Sequence, residues 1–234
     1  MRQISRPSSF KNRFAKDRIF KRLSDFATVP DARYGDSFAN VRAKFGDLLL
    51  SLGLPSEPDD IRAAAILSRN EMDVNVLNIT AVKDWDSQFR RLVDSLHPQI
   101  TAHLIMEGKN PLDMPLSDIQ TFVDTLEFYG DNIEHSLEEN IMGLDRNLDK
   151  KIRSAIIGVY KALNLIGRHD GAAIGAVLRS AKSPTLGNFL DASLNYKNSF
   201  DVKVSDGWEL WAVRDSIRDN IERGCELARL MLTT

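Results

Sequence analysis

A single cysteine, Cys225, stands among 234 residues. No intramolecular disulfide framework can form, and a reducing compartment is the natural setting. No apolar run approaches the roughly 20 residues that a membrane-spanning helix requires. Even Leu48-Leu49-Leu50 is broken at once by polar neighbours. The first residues are basic but lack the uninterrupted apolar segment of a secretory leader, so the cytoplasm is the expected location and a membrane partner is not expected. In that setting the glycosylation-like triplet Asn78-Ile79-Thr80 carries no meaning.

Other devices are missing too. There is no internal repeat and no low-complexity tract. No Gly-x-Gly-x-x-Gly follows a strand and no Gly-Lys-Ser/Thr phosphate loop exists, which excludes nucleotide binding through either device. Gly167, Gly171 and Gly175 do recur every fourth residue, a spacing that in a water-soluble chain permits a tight helix contact or marks a turn.

Positive charge is absent from one long stretch. Residues 110–145 hold nine carboxylates and no lysine or arginine. Residues 1–26 are the opposite, with Arg2, Arg6, Lys11, Arg13, Lys16, Arg18, Lys21 and Arg22 against only Asp17 and Asp25. The net charge of −2 thus divides into +6 on that segment and −8 on the remainder.

What remains is an ordinary globular composition, 43% hydrophobic and 27% charged, enough to bury a core and to exclude disorder of the whole chain. Residues 1–30 read as a basic, partly disordered arm or amphipathic helix, with Phe10, Phe14, Ile19 and Phe20 between the cations. Residues 31–234 read as one α-helical domain. Phe38, Val41, Phe45, Leu48, Leu49 and Leu52 predict a helix over about 37–52, closed by Gly53 with Pro55 beyond. A second helix is expected near 59–69. The β-branched stretch from Val74 to Val82 reads equally as strand or loop. Residues 84–107 are helical in pattern, kinked or divided at Pro98.

The longest periodic signal runs from Ile119 to Ile166, with apolar residues at steps of three, four or two turns. Gly143 and the polar residues after it favour two packed helices over one rod. Short helices are expected at about 172–181 and 185–194, and residues 200–204 alternate too briefly to assign. The last helix begins at Asp206, whose spacing to Glu209 is that of a capping box. It aligns Leu210, Val213, Ile217, Ile221, Cys225, Ala228 and Leu232 on one face. Trp208 and Trp211 cannot both face one core, so one of them marks a contact surface. The fold class is therefore all-α, a multi-helix bundle with long central amphipathic helices and at most one short strand pair.

Candidate sites follow from charge. Arg6, Lys11, Arg13, Lys16, Arg18, Lys21 and Arg22 suit an anionic or protein partner, and through them nucleic acid. Asp124, Glu127, Asp131, Glu134 and Glu138 form an acidic face beside the apolar stripe, on which the basic arm could dock. A di-metal bundle would need Glu-x-x-His twice. His135 has Asn132 three residues before it and no second such motif exists, so no metal or other cofactor is expected. Cys225, on an apolar helix face, reads as a buried structural thiol. His169-Asp170 in a glycine-flanked turn lacks a nucleophile to serve.

One spacing resembles a known family. In HEPN-class endoribonucleases, which are helical bundles, an arginine precedes a histidine by four to six intervening residues. Arg91 and His97 have five between them, and Arg90 has six. The resemblance implies a helical RNA-cleaving enzyme with His97 as its base. With 19 arginines and four histidines about one such match is expected by chance. Residues 218–223 repeat the pattern with Arg223 in place of histidine, which removes the base there. The leading expectation is a non-enzymatic helical interaction or regulatory protein that self-associates. The alternative is a helical nucleic-acid-binding protein or HEPN-like endoribonuclease.

Overall fold

Capping and turn residues set the helix boundaries. The computed structural model describes residues 38–130, 148–195 and 207–233. Among these residues the chain forms nine helices: α1 (Phe38–Ser51), α2 (Pro58–Arg69), α3 (Val76–Ser95), α4 (Pro98–Met106), α5 (Leu116–Gly130), α6 (Lys150–Gly167), α7 (Ala172–Arg179), α8 (Leu186–Asn195) and α9 (Gly207–Thr233). The described residues hold no strand, only an isolated antiparallel bridge between Pro115 and Thr185. The all-α bundle is what the periodicity predicts.

Gly53 ends α1 with φ of +72°, a left-handed turn open to glycine without steric cost. Pro58, Asp59 and Asp60 open α2, where a missing N–H is harmless and carboxylates meet the positive end of the helix dipole. Pro98 divides rather than kinks: α3 stops at Ser95 and α4 starts at Pro98. Asp149 caps α6, accepting from the Lys151 amide at 2.7 Å.

The stretch from Val74 to Val82 is neither strand nor loop beyond its first two residues. Asn75 caps a helix by accepting from the Asn78 amide at 2.9 Å. Ile79 and Val82 then fall one turn apart and are both fully buried. Burial on one helical face outweighs the β preference of branched residues.

The long stripe splits as well. Its residues up to Leu126 lie on α5 and those from Ile152 on α6, residues 131–147 lying outside the described residues; α5 lies chiefly against α3, whereas α6 packs with α9, α8 and α4. Leu116, Ile119 and Val123 of α5 and Ile152 to Ile166 of α6 line the same apolar cluster. A shared core gives both one pattern.

The described residues form two apolar clusters. The larger takes Phe89, Leu92, Leu104, Ile119, Val159, Phe189, Ile217 and Ile221, among others, from α3 to α9. The smaller holds Phe45 and Leu49 of α1, Ala63 to Leu67 of α2, Val74, and Ile79 and Val82 of α3. The most extensive contact among the described helices is the antiparallel pair α6–α9, where Gly158 faces Ile221 and Gly224 faces Ala155. No helix among the described residues is long and apolar enough to cross a membrane. The basic arm of residues 1–30, the break at Gly143, His135, Asp206 and residues 200–204 lie outside the described residues.

Candidate functional site

The most developed polar arrangement lies where α2, α3 and the turn before α7 meet. Three positions on α3's inner face, Ile79, Val82 and Phe89, are apolar. The fourth in that register is Asp86, whose side chain is only 4% exposed. A buried carboxylate needs a close counter-charge. Arg62 of α2 supplies it, with Nε 2.6 Å and Nη2 3.0 Å from the two Asp86 oxygens. Arg90, one turn along α3, adds an Nε contact at 3.1 Å.

Arg62 also grips Asp170 in the α6–α7 turn through Nη1. Arg69, two turns further along α2, reaches the other Asp170 oxygen at 3.3 Å. Asp170 holds the left-handed conformation, φ +46°, which aspartate tolerates better than most residues. Two more pairs complete the seam: Lys83 with buried Asp60 at 2.6 Å, and Arg90 with Asp59 at 2.9 Å. Burial alone would lower the Arg62 pKa. Hydrogen bonds and charge from Asp86 and Asp170 outweigh that and hold it above its ordinary value.

Beside the seam α2 and α7 nearly touch. A Cβ on Gly171 would come within 2.5 Å of Ile66, and one on Gly175 within 2.2 Å of the Asn70 amide nitrogen. Asn70 uses that nitrogen to bond the carbonyls of Ile66 at 2.9 Å and Ala172 at 3.1 Å. The four-residue glycine spacing thus serves helix contact at two of its positions. Gly167 meets nothing within 4 Å.

The expected sites are distributed differently. Arg91 lies on the outer side of α3 and pairs with Asp124 of α5 at 3.0 Å. Two residues singled out for unrelated reasons therefore meet each other. Gln120 also donates to Asp124, at 2.8 Å. His97 is exposed in the link between α3 and α4. Arg90 and Arg91 line a shallow open depression with Asp59, Ser87, Asp94 and Ser95. Its two cations and two carboxylates cancel, so it offers no excess charge to an anion. Glu127 lies on α5 with its side chain outside the described part. Asp131, Glu134 and Glu138 lie outside the described residues, as do the basic-arm residues Arg6 to Arg22. Among the described residues no three of His, Cys, Asp or Glu gather as a metal set.

Cys225 is fully buried and its thiol donates to the Lys109 carbonyl at 3.4 Å. Burial, reinforced by Glu222, pushes its pKa up to about 11, so the thiol stays protonated and unreactive. The apolar stripe of α9 is covered only in its middle. Ile217, Ile221, Cys225 and Ala228 are buried, whereas Val213 before them and Leu232 after them are 44% and 67% exposed. Leu230 and Met231 are also exposed. The side chains of Leu210, Trp208 and Trp211 are outside the described part.

Sequence reasoning missed the seam. Its partners lie 24, 101 and 108 residues apart, beyond any local pattern. One signal was available: Asp86 occupies a core-facing slot between Val82 and Phe89, and a carboxylate in an apolar stripe demands a cation. The sequence matches a family described as a family of unknown function (DUF6240) over residues 8–190. No curated protein and no solved structure matches it.

Proposed function

We propose that this chain, which belongs to the family of unknown function DUF6240, is a non-enzymatic helical interaction protein that self-associates through its last helix. The observation that carries this reading is the overhang of α9. At 1.5 Å per residue its 27 residues extend about 40 Å, against about 27 Å for the 18 residues of α6. The antiparallel register, Gly158 against Ile221 and Gly224 against Ala155, uses up α6 near residues 212 and 229 of α9. The stripe continues past the second limit, which puts Leu232 beyond the end of α6 in a core-type position, 67% exposed, with Met231 beside it 62% exposed. Exposed apolar surface of this kind marks contact sites. A cytoplasmic setting, where Cys225 stays reduced, accords with it.

Sedimentation of the full chain tests the proposal. The wild type is expected to associate and the double variant Met231→Lys, Leu232→Glu to sediment as a monomer with unchanged helicity. A wild type that stays monomeric at concentrations on the order of 100 µM sinks the reading. The nucleic-acid reading rests on the basic arm and on Arg91 with His97. Its catalytic half is weakened by the commitment of Arg91 to Asp124. RNA bound steeply salt-dependently and cleaved only while His97 is present would replace our proposal.

A further inference from the structure

The two apolar clusters are not equally joined to the molecule. α1 packs on α2, so its attachment is only as firm as that of α2. On the far side α2 meets α3 and α7 across the charged seam and through the smaller apolar cluster, where Ala63 to Leu67 lie with Ile79, Val82 and Leu178. Its ties to α3 are Arg62 with Asp86, Lys83 with Asp60, and Arg90 with Asp59. Its ties to the α7 side run through Asp170 and through Arg179, which donates to the Asn70 carbonyl at 3.1 Å.

Charged contacts of this type differ from apolar ones in what separation costs. When an apolar interface opens, the lost burial is not replaced. When buried ions part, water hydrates each of them and returns much of the lost attraction. The seam is also incompletely satisfied, since one buried oxygen of Asp60 accepts no hydrogen bond. The apolar cluster behind the seam holds ten buried residues, against twenty-four in the cluster that α6 and α9 share. The smaller cluster, sealed in part by ions that water can rehydrate, should open at a lower free energy than the larger.

We infer that α1 and α2 form a latch that opens as one unit, well before the α6–α9 core, and that the Arg62–Asp86–Asp170 bridge sets how often it opens. Opening uncovers Ile66 and Leu67 of α2, Ile79 and Val82 of α3, and Leu178 of α7. This device is independent of the α9 contact.

Native-state hydrogen exchange on the full chain, read peptide by peptide at fixed pH, tests it. In the wild type, amides of residues 45–52 and 60–69 should share one protection factor. That factor should be at least about tenfold below the one for residues 152–166 and 217–228. Arg62→Ala should lower protection in α1 and α2 by a further tenfold or more and leave α6 and α9 unchanged. Asp170→Asn retains the left-handed turn while removing its charge. It should act in the same direction, and it serves if Arg62→Ala does not fold. Equal protection across all helices in the wild type overturns the latch. So does a variant that loosens every helix alike, because either result makes the molecule one cooperative unit.

Discussion

Replacing Gly175 by alanine should destabilise the protein, although alanine is the better helix former. A Cβ there would lie 2.2 Å from the Asn70 amide nitrogen, 2.8 Å from its Cγ and 3.0 Å from Ile66 Cγ2. Asn70 is 4% exposed and has nowhere to swing without giving up its bonds to the Ile66 and Ala172 carbonyls. An unsatisfied buried amide costs about 1–3 kcal/mol, and overpacking a similar amount. The helix-propensity gain offsets about 1 kcal/mol. The net loss is then about 3 kcal/mol, which for a chain of this size lowers the melting temperature by roughly 6–12 °C. Gly167→Ala is the internal control, since that position has no neighbour within 4 Å. It should raise the midpoint by a few degrees, from up to about 1 kcal/mol of propensity. Thermal melts followed by circular dichroism read both. If Gly175→Ala melts at or above the wild type, or if both variants shift the same way, α2 and α7 are not packed at this distance.

Two further outcomes follow from named contacts. Arg91→Ala breaks only an exposed pair, 63% and 45% accessible, and should change unfolding free energy by less than about 1 kcal/mol in urea titration. Cys225 should resist alkylation in the native state at pH 8 and react once urea unfolds the chain. Its folded pKa of about 11 lies above its ordinary value of 9.0. The stability this contributes is complete below pH 9 and is lost as pH rises through 11, by about 3 kcal/mol in all. Cys225→Ala should lack that component of the pH slope.

How much of this could be read beforehand depended on the range of the interaction. Boundaries set within four residues were legible: Gly53 and Pro55 after α1, Pro98 between α3 and α4, and the polar run before Lys150. So was the burial of Cys225, which follows from its spacing to Ile221 and Ala228. The segment from Val74 was not, because branched residues suit both strands and buried helix faces, and only Asn75 discriminated. The charged seam was hidden for another reason. Arg62 and Arg69 are seven residues apart and so share a face of α2, but their common partner Asp170 is more than a hundred residues away. Asp170 was passed over as half of a sequence-adjacent His–Asp pair, although what matters is which helix its turn approaches. Arg91 and Asp124 show the same limit, since the spacing of each suits a functional role and the two pair with each other.

The geometry of the α9 end narrows what can cover it. Successive helical residues are about 100° apart around the axis, so Leu230, Met231 and Leu232 together spread over roughly 200°. Met231 and Leu232 flank the line continued from Ile221 and Ala228, whereas Leu230 points away from it. A partner helix lying along the stripe would bury the first two and leave Leu230 in water. Two copies whose ends cross, or one end seated in a cleft of the other, would bury all three. Single variants separate these cases in the sedimentation assay. Leu232→Glu should disrupt association either way. Leu230→Glu should be nearly silent for a helix laid along the stripe and as disruptive as Leu232→Glu for an enclosed end. The three residues are 65%, 62% and 67% exposed, and we expect the enclosed arrangement, which alone covers all three. Association that survives both charge substitutions would place the contact elsewhere on the molecule and remove α9 from the argument.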